Sequence, residues 1–339
     1  MINKSRSAHV TPLFAKETPF AGLSPERVLD AASSVGLDPD GRLFALNSYE
    51  NRVYQLGSGE GILILKFYRP ARWSDAQILE EHRFTAELAA AELPVAAPVA
   101  ISGQTLFRHR EFRFAAFPYL RGSAPELDAP EARELLGRSL ARLHQVGARQ
   151  PFERRPEIGI DRLGGEARAR VLETDLLPEG LRDRYEDISG MLLERIRRAY
   201  EETGPVGRLR LHGDCHLGNL LWNERGPLFV DLDDCAMGPR VQDLWMLLSG
   251  PPADQQAQWA ALLKGYQQFA DFDFRELRLI EPLRSLRMLH HAAWVCLRWL
   301  DPAFPRAFPW FGEARYWEGY LGDLREQLAA IDEPPLLAG

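Results

Sequence analysis

The stretch Arg210-Leu211-His212-Gly213-Asp214-Cys215-His216-Leu217-Gly218-Asn219-Leu220-Leu221-Trp222, followed shortly by Leu228-Phe229-Val230-Asp231-Leu232-Asp233-Asp234, decides how this chain is read. Each half predicts a short apolar strand that delivers polar groups to its end. The first half supplies His212 and Asp214 and then, five residues after the Asp, Asn219. The second supplies Asp231 directly after Leu-Phe-Val. Together they offer a hydrogen-bonding histidine, a lone carboxylate, and an Asn-plus-Asp pair of oxygen ligands. Hard divalent cations such as Mg2+ take oxygen ligands and usually keep substrate phosphates in their shell. Phosphoryl transfer asks little more of a protein than a carboxylate facing the acceptor hydroxyl and ligands for the metal on the nucleotide. Turn-forming Asp and Asn at the ends of buried strands would account for either half alone. They do not account for both halves in this order and spacing.

The spacing resembles the protein-kinase catalytic loop, in which an Asp is followed by four residues and an Asn. Gly213 stands where eukaryotic kinases carry Arg, and Asp231-Leu232-Asp233 stands where they carry Asp-Phe-Gly. Those departures resemble the aminoglycoside phosphotransferase and choline kinase branch of the kinase-like fold. The resemblance implies an α+β bilobal fold, with an antiparallel N-lobe sheet carrying one main helix and a mostly helical C-lobe.

Composition agrees with an ordinary globular protein. The 339 residues suggest two lobes, and the formal net charge is −7. No lysine- or arginine-rich run argues for nucleic acid. No apolar run is long enough to span a bilayer. Met1 to Lys16 lacks the apolar core of a signal peptide, so the expected location is the cytoplasm. The three cysteines, Cys215, Cys235 and Cys296, show neither metal-ligand nor disulfide spacing. Cys215 adjoins Asp214, which raises the idea of inhibition by oxidation; a small inert filler is the simpler expectation.

Along the chain, residues 1–22 read as a flexible leader, 23–118 as the N-lobe and 119–339 as the C-lobe. Ser24-Pro25 opens a helix that should reach about Gly36. Strand, polar turn and strand follow over 44–56. The glycine turn at 57–61 feeds a strand rather than a helix, so it reads as hairpin chemistry and not as a phosphate loop. The loop at 47–52 is the better phosphate cover, with Asn47, Ser48 and Asn51 as donors. Lys66 lies late in an apolar strand, where an ammonium needs an anion. A helix starts with the capping box Ser74-x-x-Gln77. At about 100° per residue, Ile78, Phe84 and Leu88 share a face with Glu81 at its middle and Glu80 near its margin. Glu81 is therefore the expected partner of Lys66.

Two strands are expected near 105–108 and 111–117, then a hinge at 118–122. There Tyr119 and its neighbours' backbone groups would meet adenine. A core helix over 131–146 includes His144, read as a packed core histidine. Asp243 opens an apolar helix and resembles the kinase aspartate that accepts backbone N–H bonds from the catalytic loop; an N-cap is its competing reading. The segment 301–309 reads as a rigid proline-rich turn, and 333–335 as a loose tail.

Several longer stretches are similar to the bacterial stress response kinase A family: 46–55, 66–70, 94–100, 210–219, 229–234 and 301–305. The resemblance covers about residues 25–335. It implies an ATP-dependent, autophosphorylating Ser/Thr protein kinase acting in stress response, monomeric and cytoplasmic. Asp214 would be the catalytic carboxylate and His212 its brace, with Asn219 and Asp231 on Mg2+. Lys66, Glu81, Ser48, Asn47, Asn51 and Tyr119 would lie around ATP. Asp233 would touch a second metal or the acceptor. The residues alone reach only an ATP-dependent phosphotransferase, and a kinase for choline, homoserine or an aminoglycoside remains the alternative.

Overall fold

The computed structural model describes residues 19–59 and 61–337. Helix α1 (Pro25–Ser34) begins where Ser24 accepts the amide of Arg27 and Pro25 presets the first turn. Five strands then form one antiparallel sheet in the order β1-β2-β3-β5-β4: β1 (Pro39–Leu46), β2 (Arg52–Ser58), β3 (Gly61–Phe67), β4 (Phe107–His109) and β5 (Phe112–Pro118). The β2–β3 pair closes at Ser58 and Gly61, so the glycine turn is a hairpin. Helix α2 (Asp75–Ala90) enters between β3 and β4 through the Ser74–Gln77 capping box.

Strand alternation decides what each face of the sheet meets. On β3, Leu65 and Phe67 pack with Leu56, Phe114 and the α1 residues Val28, Ala31 and Ala32. Ile64 and Tyr68 turn the other way, onto Ile78 of α2, Ala115 and Phe117. Lys66 lies between those two and so faces α2. About two and three turns further along α2, Phe84 and Leu88 leave the sheet and join the core of the helical part. A single helix thus belongs to two cores and sets how they sit on each other.

Beyond Pro118 the chain is mostly helical: α3 (Pro130–Gly147), a π-helical segment Asp161–Glu166, α4 (Ala167–Glu173), α5 (Glu179–Thr203), α6 (Val241–Trp245), α7 (Pro252–Tyr266), α8 (Ile280–Arg298), α9 (Ala303–Ala307) and α10 (Ala314–Ile331). Two short antiparallel pairs interrupt it: β6 (Leu209–Leu211) with β9 (Ala236–Gly238), and β7 (Leu220–Asn223) with β8 (Gly226–Phe229). They carry the two motif segments. One core gathers α3, α7 and these strands; the other gathers α5, α8 and α10 around Tyr185, Trp317 and Phe304.

Both ends of the described residues make contacts next to the segments expected to be loose. The expected leader over 1–22 lies outside the described residues up to residue 18. Within the rest, Phe20 packs on the α1 core, with the guanidiniums of Arg52 and Arg69 at 4.4 and 5.7 Å from its ring. In the tail, the amide of Leu337 donates to Gln256 at 2.8 Å. The segment after α8 is more than a turn: buried Asp301 pairs with Arg69 at 2.6 Å and Arg52 at 3.2 Å, fastening the helical part to the sheet.

Candidate active site

Lys66 is 5% exposed, and its Nζ lies 3.3 Å from Glu81 Oε1, 3.0 Å from Asp231 Oδ1 and 3.0 Å from Asp233 Oδ1. Burial alone would strip its proton; the surrounding carboxylates of Asp231, Asp233 and Glu81 reverse that and hold its pKa well above the usual lysine value. Burial pushes the Glu81 carboxyl up to about 7, with Lys66 pulling in the opposite direction. Glu80, placed by helix periodicity at the margin, is buried as well. Its oxygens accept the amides of Glu153, Arg154 and Arg155 at 2.7, 2.9 and 2.7 Å. The helix therefore presents two buried carboxylates, one to the lysine and one to a loop of the helical part. Nothing local marks the second, because its partners are backbone groups far along the chain.

The segment 212–219 is held from behind by Asp243. One Asp243 oxygen accepts the amide of His212 at 2.8 Å, and the other accepts that of Gly213 at 2.9 Å. His144 reaches the same carboxylate at 3.2 Å and Tyr266 at 2.8 Å, so it is a buried, hydrogen-bonded core residue. The glycine at 213 is required twice over. Its φ is +84°, and a Cβ there would run into the Asp234 carbonyl. The arginine of eukaryotic kinases does not fit this packing. His212 Nε2 meets the Val230 carbonyl at 3.0 Å and so ties the first motif segment to the second.

The β7–β8 pairing puts Leu220 opposite Phe229, and the Val230 amide donates to the Asn219 carbonyl at 3.1 Å. Asn219 and Asp231 thus end two adjacent strands. Asn219 Nδ2 donates to the Asp214 carbonyl at 3.0 Å, which leaves its Oδ1 for a cation. Asp231 holds a left-handed conformation (φ 56°, ψ 63°), unfavourable for a residue with a Cβ, and its side chain is 53% exposed. Among the described residues no group of three or more His, Cys, Asp or Glu is placed to hold a metal by itself. An exposed carboxylate and an amide oxygen at the ends of adjacent strands are hard donors of the kind that suit Mg2+ whose shell is completed by phosphate oxygens.

Asp214 has partners that the sequence did not announce. Arg287 of α8 lies 2.5 Å from its Oδ1, and His216 Nε2 is 3.5 Å from its Oδ2. Burial works to raise its pKa, but the His216 and Arg287 contacts outweigh it and hold the carboxyl well below the usual range.

Three expected contacts differ. Asp233, assigned to a second metal or the acceptor, is 2% exposed and enclosed by Lys66, Arg72 and the Asn51 amide, so it serves as a structural anion. Asn51 is accordingly not a phosphate donor here: Nδ2 donates to Asp233 at 3.1 Å and Oδ1 accepts the Arg69 amide at 3.1 Å. Ser48 donates to the Asn51 carbonyl at 3.2 Å and shapes the turn, while Asn47 is exposed. Tyr119 follows β5 and is 41% exposed. Cys215 and Cys235 are buried, and burial pushes both thiols up, Cys235 to about 12 and Cys215 well above its usual value. A buried neutral thiol is inert, which removes the basis for an oxidation switch at Cys215.

Residues 43–280 match the phosphotransferase enzyme family. The chain is 45% identical over 318 residues to stress response kinase A of Escherichia coli (strain K12), covering 94% of this chain and 96% of that protein. The chain belongs to the stress response kinase A family. It is a kinase that transfers phosphate to a hydroxyl group. A family relative in Salmonella typhimurium, 44% identical over 318 residues (94% of this chain, 96% of that protein), is named serine/threonine protein kinase RdoA. Among solved structures, amicoumacin kinase hAmiN in complex with AMP-PNP, Ca2+ and Ami aligns over 92% of this chain and 95% of that one, with TM-score 0.72 and 18% identity. A microcompartment-associated aminopropanol kinase aligns over 90% and 98%, with TM-score 0.67 and 19% identity. These likenesses establish the kinase-like α+β fold. Among the described residues no helix is long and apolar enough to cross a membrane.

Proposed function

We propose that this protein is an ATP-dependent Ser/Thr protein kinase, also autophosphorylating, that acts as a cytoplasmic monomer in the bacterial stress response. The observation that carries the reading is the line Glu81–Lys66–Asp231 together with Asp214, which sits on the segment whose His212 and Gly213 amides Asp243 fastens. The lobe of residues 23–118 would take the nucleotide and that of 119–339 the acceptor.

Lys66, positioned by Glu81, steadies phosphate oxygens. The turn closed by Ser48 lies over them, and Asn47 adds a donor. The segment after Pro118, with Tyr119, offers its backbone to adenine. Asn219 and Asp231 would hold Mg2+, which neutralises charge on the nucleotide phosphates. Asp214 accepts a hydrogen bond from the acceptor hydroxyl and aims its oxygen in line with the γ-phosphorus. The new O–P bond forms as the bond to the β-phosphate oxygen breaks, ADP leaves, and the hydroxyl proton passes to Asp214. A carboxylate with a depressed pKa is a weak base. That suits a loose transition state, where the proton moves late and orientation matters more than basicity.

The solved neighbours favour a second reading, a small-molecule kinase, since two of them are named for amicoumacin and aminopropanol. Relatives of far higher identity named as a stress response kinase and a Ser/Thr protein kinase weigh toward protein. Labelled ATP with a protein acceptor on one side and choline, homoserine and an aminoglycoside on the other separates them. Label only on a small alcohol would overturn the protein-kinase reading.

A further inference from the structure

The acceptor side of the cleft holds a cation that the transfer chemistry does not use. Helix α8 presents Arg287, His291, Trp294 and Arg298 at helical spacing along one face. Its two ends are committed: Arg287 to Asp214 at 2.5 Å, and Arg298 to Glu50 of the turn after β1 at 3.0 Å. Between them, His290 lies within the fields of Arg162, Asp234, Arg72 and Arg287; burial first, and then the arginines, push its pKa down to about 4, so it enters as a neutral N–H donor. Arg162 comes from the π-helical segment Asp161–Glu166, which packs on α8. Single π turns inside helices recur at functional sites.

Three guanidiniums converge on Trp73: Arg155 at 4.3 Å from its ring, Arg72 at 5.1 Å and Arg162 at 6.0 Å. Two of them are accounted for. Arg72 pairs with Asp233 and, at 2.5 Å, with Asp234; Arg155 donates to the carbonyls of Asp233 and, at 2.9 Å, Cys235. Arg162 makes no ion pair or hydrogen bond among the described residues, and burial together with Arg72 and Arg155 weakens its hold on its proton despite Asp234. A half-buried guanidinium beside two others is costly without an anion.

We propose that Arg162, with the free donors of Arg287 and with His290, forms an anion subsite next to the acceptor hydroxyl, so that this kinase selects a Ser or Thr within an acidic segment. Arg287 binds Asp214 through one nitrogen, and a guanidinium carries five N–H donors, so others remain for a second anion. The fork of Arg162 matches the paired oxygens of a carboxylate or phosphate. The proposal rests on the reading of Asp214 as the group that faces the acceptor.

The test uses the full chain, labelled ATP with Mg2+, and three fluorescent peptides sharing one central Ser. One is flanked by Glu and Asp, one by Lys and Arg, and one by a phosphoserine. Binding is read by anisotropy and transfer by label. The acidic peptide should show a KM about tenfold below that of the basic one, the scale of one charge-assisted hydrogen bond. Arg162→Ala should raise that KM about tenfold with little change in kcat, and Arg162→Lys should recover part of the loss. A phosphoserine peptide that outperforms the acidic one would keep the subsite and assign it to phosphate. Equal or reversed binding of acidic and basic peptides, or a preference unchanged in Arg162→Ala, would overturn the proposal. Binding preference without transfer to any peptide would keep the subsite and sink the protein-kinase reading instead.

Discussion

On the proposed reading the cleft has a nucleotide wall and an acceptor wall, and the two are built differently. On the nucleotide wall every charged side chain meets an opposite one: Lys66 sits among Glu81, Asp231 and Asp233, and Asp233 in turn holds Arg72 and Asn51. On the acceptor wall Arg162, with Asp234 nearby, forms no ion pair or hydrogen bond among the described residues, and Asp214 is covered by an arginine at 2.5 Å from a distant helix. On the proposed reading, a closed network would fix geometry for a ligand that never varies, the triphosphate. An open one would leave charge for an acceptor that must be recognised and then released.

That contrast can be broken at several points. The largest of these effects belongs to Asp231→Ala, which on the proposed reading removes a Mg2+ ligand together with a partner of Lys66. Transfer should fall by about a thousandfold, the scale of losing one preorganised electrostatic group, and Mg2+-dependent nucleotide binding should fall with it. Nucleotide titration checks the second point, and unchanged binding would put the metal elsewhere. Gly213→Ala should lower kcat by about a hundredfold with nucleotide affinity retained, because the Asp234 carbonyl occupies the space of the new methyl group and the segment carrying Asp214 must shift. Wild-type kcat in that variant would mean the loop is softer than its packing implies.

Asp243→Ala strands two buried amides and should cost about 3 kcal/mol in denaturant unfolding. A loss under about 0.5 kcal/mol would reduce Asp243 to an ordinary surface-type substitution. The smallest effect is a pH limb. Glu81, pushed up to about 7 by burial, is ionised above that pH and neutral below it, so its pairing with Lys66 is present at high pH and lost as pH falls through about 7. Apparent affinity for ATP should weaken severalfold across that range in wild type, while Glu81→Gln should show a weak, flat profile. A limb that persists in Glu81→Gln belongs to another group.

The same contrast explains how much could be read from the residues alone. Strand alternation places Lys66 on the α2 face, and helix periodicity brings Glu81 to it; both are short-range rules with one outcome. The two motif segments sit on strands whose pairing places Asn219 beside Val230 and Asp231. Asn51 departs from expectation because a polar side chain in a turn satisfies its donors on a buried aspartate as readily as on phosphate. Asp233 departs from expectation for the converse reason: Arg72, which encloses it, lies 161 residues away in sequence. Arg287 and Arg162 sit on amphipathic helical segments among many arginines. What distinguishes them is which distant carboxylate each reaches or fails to reach, and that is a property of the packing.

The most direct measurement compares wild type with Asp214→Ala, using labelled ATP, Mg2+ and protein acceptors of acidic and basic composition, with nucleotide binding measured on the same samples. The account predicts label on protein in wild type, none in Asp214→Ala, and equal nucleotide affinity in both. Transfer that survives Asp214→Ala would contradict the assignment of this carboxylate to the acceptor hydroxyl, and with it the division of the cleft into its two walls.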